Sequence, residues 1–160
     1  MIKYILTVMI LLFTVGGAEA RPPRIGEAVA TFSLPDLAGK KIDTARFKGR
    51  TTVIYFWNNL CGCSEQLIAL KTFVAARKGR LLSFVAVNEG QSRAIAENVI
   101  LANKLPYDAL LDNDLAVGKN LFGIKVLPTI FILDRQGVLK EKLIGVVDTK
   151  RLESFIQRYL

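Results

Sequence analysis

The sequence predicts an α/β domain in which a mixed central sheet carries helices on both faces and is preceded by a β-hairpin. Three observations carry this expectation. Short runs rich in β-branched and aromatic residues alternate with segments of helical periodicity. The last two strand-like runs adjoin across a tight turn and lead into a closing helix. The composition, 51% hydrophobic against 22% charged over 160 residues, fits one globular domain of ordinary size. Strand–helix alternation makes parallel pairs and the final hairpin adds antiparallel ones, so the sheet is mixed.

The first twenty residues stand apart from this domain. Met1-Ile2-Lys3 precedes an apolar run over residues 4–15 and then Gly16-Gly17-Ala18-Glu19-Ala20. A basic start, an apolar stretch and an Ala-x-Ala ending predict a secretory signal cleaved after Ala20. Crossing a bilayer takes about 20 apolar residues, so cleavage is favoured over anchoring. Membrane contact is then expected only through this segment if it stays uncleaved. No Cys lies near the cleavage site, which leaves a lipid anchor unsupported. The mature domain is residues 21–160, in the periplasm or otherwise exported, and its formal charge stays at +8 because Lys3 and Glu19 leave together.

Within that domain, residues 29–34 and Lys41-Ile42-Asp43 flank Pro35-Asp36-Leu37-Ala38-Gly39-Lys40 and predict the N-terminal hairpin. Phe47-Lys48-Gly49-Arg50 is a turn, and Thr51-Thr52-Val53-Ile54-Tyr55-Phe56-Trp57 is a strand buried on both faces. From about residue 61 to residue 78, Leu67, Leu70, Phe73 and Val74 recur at helical spacing. A second buried strand covers residues 81–87, and a helix opens at Ser92 and runs to about Asn103. A short strand over 107–111, a short helix over 114–122 and a hairpin of 129–133 with 138–145 follow. Asp148 caps a last helix over 149–160.

Composition removes several chemistries. With no His, Ser-His-Asp and Cys-His hydrolases, His-ligated zinc or haem and imidazole acid–base catalysis are excluded. Two Cys cannot form a four-Cys metal site. The basic residues are scattered at turns and helix ends, including Lys40-Lys41, Arg46, Lys48, Arg50, Arg77, Lys78 and Arg80. That distribution argues against nucleic-acid binding and for a solvated surface, or for steering toward an acidic partner or an anionic membrane face.

In an exported chain the two thiols are expected to pair. Cys61 and Cys63 are separated by one residue, and a disulfide closing so small a loop is a poor staple. The pair is better placed for chemistry than for stability.

The segment Trp57-Asn58-Asn59-Leu60-Cys61-Gly62-Cys63-Ser64-Glu65 resembles the site of TlpA-like thioredoxin-fold proteins within the redoxin superfamily. The resemblance extends over nearly all of the mature chain. It includes Ile25-Gly26-Glu27, Phe32-Ser33-Leu34, Phe47-Lys48-Gly49-Arg50, Val85-Ala86-Val87-Asn88, Val126-Leu127-Pro128-Thr129 and Phe131-Ile132-Leu133-Asp134-Arg135-Gln136-Gly137. It implies a thioredoxin-like three-layer sandwich and a thiol–disulfide oxidoreductase that needs no bound cofactor or metal. The implied partners are exported protein thiols or disulfides and a redox partner protein, served by a monomer. The implied roles are reduction of apocytochrome cysteines in cytochrome c maturation, or disulfide formation or isomerisation.

The family places its second Cys three residues after the first, where this chain has Ser64. Helical positions two apart point about 200° from each other, so a Cys61–Cys63 disulfide requires a non-helical turn, for which Gly62 supplies the freedom. Two mechanisms stay open. In one, Cys61 is the nucleophile, activated by the helix N-terminus, and Cys63 resolves the mixed disulfide through a small strained ring suited to an oxidant or isomerase. In the other, Ser64 donates to the Cys61 thiolate while Cys63 is a buried bystander. An inert disulfide, or a degenerate site that only binds partners, is the third reading.

By resemblance, Pro128 is a cis-proline facing the site, the backbone of Leu127 pairs with a substrate chain, and Trp57 flanks the cysteines. The family's Glu three residues past the second Cys corresponds here to Gln66 or Leu67, which leaves Glu65 and Glu89 as the nearest acid–base candidates. The alternatives are a thiol peroxidase, for which no partner Arg is placed, and a Cu(I)-binding redox chaperone built on two soft ligands, for which the additional His is missing.

Overall fold

The computed structural model describes residues 21–79 and 81–160; the expected signal, residues 1–20, and Arg80 lie outside the described residues. Strands β1 (Ser33–Pro35) and β2 (Lys41–Asp43) form the N-terminal antiparallel hairpin. The central sheet contains β3 (Thr51–Trp57), β4 (Leu82–Glu89), β5 (Asp108–Asp112), β6 (Thr129–Leu133) and β7 (Leu139–Ile144), in the order β5-β4-β3-β6-β7. β3 runs parallel to β4 and antiparallel to β6; β4–β5 is parallel and β6–β7 antiparallel. This is the mixed sheet of a thioredoxin-like fold.

All seven residues of β3 and all five of β6 are buried, which is why both read as uninterrupted apolar runs. Alternation along β3 splits the core. Val53, Tyr55 and Trp57 face one side, while Ile54 and Phe56 face the other.

The α-helices α1 (Cys63–Ala69), α2 (Lys71–Ala75), α3 (Arg93–Ile100) and α4 (Thr149–Gln157) all cover the first side, through Leu67, Val74, Ile100 and Ile156 among others. The second side is closed by the hairpin, a 3₁₀ turn (Thr44–Phe47) and a single π-helical turn (Val117–Leu121). Helical segments therefore flank both faces as expected, but one flank is built from short turns.

The local differences have physical causes. The helix expected from residue 61 begins at Cys63 because Gly62 is left-handed, and it divides into α1 and α2 at the fully buried Leu70. The helix expected over 114–122 contracts to the π turn. Ser92 sits at the N-cap of α3 in extended backbone without a side-chain cap bond, whereas Asp148 Oδ1 accepts from the Arg151 N–H at 3.0 Å and caps α4. β1 begins later than expected because residues 26–29 bind elsewhere. Gly26 N–H donates to the Leu139 carbonyl, Leu139 N–H to Glu27 and Val29 N–H to Gly137, and Ala28 pairs with Val138. After the hairpin turns, Asp36 bridges to Leu110 of β5. No helix of the described residues is long and apolar enough to cross a membrane.

Phe122 anchors the second side. Fully buried, its ring lies 5.5 Å from Phe32, 4.9 Å from Phe56 and 4.7 Å from Phe131 between centroids. Replacement of a packed Phe by Ala leaves a cavity and costs about 3–5 kcal/mol. Phe122→Ala is therefore expected to lower the unfolding free energy by that amount in urea titration, and a loss below about 1 kcal/mol would show this ring cluster to be dispensable.

Candidate active site

β3 ends at Trp57, at the point where the chain changes direction across the sheet. Strands β4 and β5 are added outward on one side before the chain returns to place β6 on the other. Open α/β sheets collect their functional groups beyond the carboxyl ends of strands at such a switch point. The register pairs Trp57 with Asn88 on one flank, and the pairing of Phe56 with Thr129 sets Pro128 alongside Trp57 on the other.

The loop leaving β3 is braced by amides. Asn58 Oδ1 accepts from the Leu60 N–H at 2.9 Å, in the manner of an Asx turn. Gln91 Oε1 accepts from the Asn59 N–H at 3.0 Å and from Asn88 Nδ2 at 3.1 Å, while Gln91 Nε2 donates to Asn59 Oδ1. This brace fixes the approach to Cys61 from the β4 side.

Cys61 and Cys63 are joined by a disulfide, with their Cα atoms 5.2 Å apart. Gly62 between them has φ 68°, in the left-handed region, and serves as the N-cap of α1. Cys63 is the first helical residue and is fully buried. Cys61 lies before the helix and is half-buried, its Sγ 3.5 Å from the Asn58 carbonyl oxygen. Of the two sulfurs, Cys61 is the one that an incoming group can approach.

Beneath the pair stands an uncharged support. Tyr55 Oη donates to Gln66 Oε1 at 2.8 Å, and Gln66 Nε2 donates to the carbonyl of Val147 in the loop before α4. The position three residues past Cys63 thus holds a buried amide that ties α1 to its neighbours. Burial pushes the Tyr55 hydroxyl above the usual tyrosine range, so it stays protonated.

The remaining expected residues separate. The Leu127–Pro128 bond is cis, and the Pro128 carbonyl accepts from the Gly145 N–H at 2.8 Å. Trp57 is fully buried in the helix-side core that also holds Cys63, with Nε1 unpaired, and offers no surface for direct substrate contact. Ser64 Oγ is buried without a hydrogen-bond partner, and no bond to Cys61 forms in this disulfide state. Glu65 is exposed on the first turn of α1. Glu89 is buried and belongs to the opposite face of the sheet, in line with Val85 and Val87. Among the described residues no group of three or more His, Cys, Asp or Glu converges to hold a metal ion.

Sequence reasoning missed Gln66 as a bridge, the Asn58–Asn59–Gln91 brace, and Asp112 as the neighbour of Glu89. The Asn-Asn pair directly after a buried strand is a turn signal that could have pointed to the brace. The others depend on strand register.

Residues 25–142 match the AhpC/TSA family. The chain is similar to the thiol-disulfide oxidoreductase ResA of Bacillus cereus, 24% identical over 142 residues that cover 88% of this chain and 82% of that protein. It is also similar to the sporulation thiol-disulfide oxidoreductase A of Bacillus subtilis, 26% identical and covering 97% and 98% of the two chains. Among solved structures, StoA from Bacillus subtilis aligns with a TM-score of 0.65 at 28% identity, covering 81% of this chain and 98% of that one. The thioredoxin domain of a thiol-disulfide oxidoreductase from Bacteroides vulgatus aligns with a TM-score of 0.70 at 20% identity, over 83% and 98%.

Gly62 gives the site a direct test. A Cβ at that position meets nothing closer than Glu65 Oε2 at 3.9 Å, so the obstacle to a side chain is conformational rather than spatial. Left-handed backbone costs an L-residue about 1–2 kcal/mol. Gly62→Ala is expected to destabilise the oxidised protein by that amount in denaturant unfolding, with the reduced protein affected less because its loop is free to rearrange. Equal losses in both forms would show that the turn geometry is independent of the disulfide.

Proposed function

The chain belongs to the AhpC/TSA family, and on that footing we propose that it is an exported thiol–disulfide oxidoreductase that exchanges disulfides with protein substrates through Cys61 and Cys63. The observation that carries this reading is the asymmetry of the pair, a half-buried Cys61 bonded to a fully buried Cys63 at the head of α1.

From the oxidised form, a substrate thiolate attacks Cys61 Sγ. The Cys61–Cys63 bond breaks, a mixed disulfide forms at Cys61, and Cys63 leaves as the thiolate. Cys63 occupies the first helical position, where unpaired N–H groups and the helix dipole stabilise negative charge. A second substrate thiolate then attacks the substrate sulfur. It releases a substrate disulfide and leaves Cys61 reduced, so two electrons have passed to the protein. In the opposite direction the Cys61 thiolate attacks a substrate disulfide, and Cys63 displaces the substrate to regenerate the intramolecular bond. No His takes part, and activation rests on the helix terminus.

Three exposed apolar residues lie on the loops at this end of the sheet. They are Leu60 before α1, Val126 before Pro128 and Val146 before α4. Exposed apolar side chains on these loops suit an unfolded or extended polypeptide better than a small peroxide. The basic start, the apolar run after it and the Ala18-Glu19-Ala20 ending support export with cleavage after Ala20.

Catalysed reduction or isomerisation of insulin disulfides by the mature protein is expected to fall to the uncatalysed level in Cys61→Ala. Cys63→Ala is expected to accumulate a mixed disulfide, visible as an adduct by mass analysis under non-reducing conditions. Unchanged insulin turnover in Cys61→Ala would refute the assignment. Peroxide consumed faster than any disulfide is exchanged would replace it with a thiol peroxidase.

A further inference from the structure

Two buried carboxyl groups take no part in that chemistry. Glu89 and Asp112 face each other in the β4–β5 register, at the end of the sheet face that carries Val87 and Leu110. Asp112 is fully buried, and Glu89 is 7% exposed with Oε1 lacking a hydrogen-bond partner. The oxygens of Asp112 are engaged by the π turn, Oδ2 accepting from the Gly118 N–H at 2.7 Å and Oδ1 from the Val117 N–H at 3.3 Å. Both Asp112 oxygens are thus already acceptors, and burial beside that carboxyl keeps the proton on Glu89. A metal cation would meet the same N–H groups, and the pair suits a proton instead.

The contact reaches further than the pair. A Cβ on Gly118 would overlap the Glu89 carboxyl, so Glu89 rests directly on the backbone of the turn. The Gly118 carbonyl in turn accepts from the Ile124 N–H at 2.9 Å, three residues before Leu127.

We propose that Glu89 is a positioning residue whose protonated carboxyl, bonded to Asp112, holds the π turn and through Gly118 and Ile124 the segment presenting Leu127 and Pro128 to a substrate chain. The oxidoreductase reading supplies what that segment does; the latch itself stands on the contacts. The charged groups acting on Glu89 are Asp112 from β5 and Lys119 from the turn, and burial is the largest influence. Burial and Asp112 push its pKa from 4.5 to about 8, against the opposing pull of Lys119. Because the closed state binds the proton more tightly than the open state, the latch has full strength below the exposed value. It weakens as pH rises toward the folded one.

The test is amide hydrogen exchange at Gly118 and Ile124 in the oxidised protein, corrected for intrinsic exchange. In wild type, protection is expected to fall at least tenfold, roughly, between about pH 5.5 and pH 8, whereas in Glu89→Gln it changes less than about twofold. The ratio of the Glu89→Gln to the wild-type rate of exchange with a cysteine-containing peptide disulfide is expected to rise over the same window. Gly118→Ala, which forces a methyl group into the Glu89 carboxyl, is expected to lower protection at every pH. Wild-type protection that ignores pH overturns the latch without reference to any variant, and so does a Glu89→Gln protein that follows the wild-type curve. Absent thiol exchange with the pH-dependent protection intact would overturn the oxidoreductase reading and leave the latch standing.

Discussion

Burial of β3 on both faces, with a hydrogen-bonded neighbour along each edge, leaves that strand no free surface along its length. Whatever the domain does with the residues of its centre must happen where β3 stops. The alternation that sends Tyr55 and Trp57 toward the helices and Phe56 toward the hairpin ties every covering element to this one strand. The antiparallel entry of β6 then brings Pro128 to the same end. The cysteines, the proline and the amide brace share one edge of the sheet because β3 has four kinds of neighbour and one open terminus.

At that terminus the one-residue gap between the cysteines sets the second constraint. A regular helix separates positions two apart to nearly opposite sides, so the pair cannot both belong to α1. The chain resolves this by placing one left-handed glycine at the boundary, with one sulfur on the loop and the other inside the core. A spacing of two thus converts the pair from two faces of one turn into an outer and an inner sulfur.

β3 and β6 were readable residue for residue, because strands buried on both faces leave continuous apolar runs over 51–57 and 129–133. The hairpins and the Asp148 cap were readable from turn and cap chemistry. The boundaries that shifted depend on non-local partners. β1 starts at Ser33 because the preceding residues pair with β7, and the segment after β5 is tied to Asp112 through the Val117 and Gly118 N–H groups, a contact that sequence periodicity does not show. The cysteines announced themselves by residue type alone. Glu65 and Glu89 looked equivalent in sequence, and only the strand register separates an exposed charge on the helix from a buried carboxyl on the opposite face. Trp57, four residues before Cys61, is a core residue because β3 alternates through it.

The N-terminal segment has a consequence for life among unfolded chains. Residues 26–29 bind along the start of β7, and Asp36 then bridges to β5, so one stretch of chain crosses the second face from one outer strand to the other. Outer strands with bare N–H and carbonyl groups recruit other extended polypeptides and seed aggregates. A protein whose substrates are themselves extended chains would be especially exposed to that hazard. Its own leading segment partly occupies both borders of the sheet, which steers incoming chains away from strand addition and leaves the reactive end as the place to meet them.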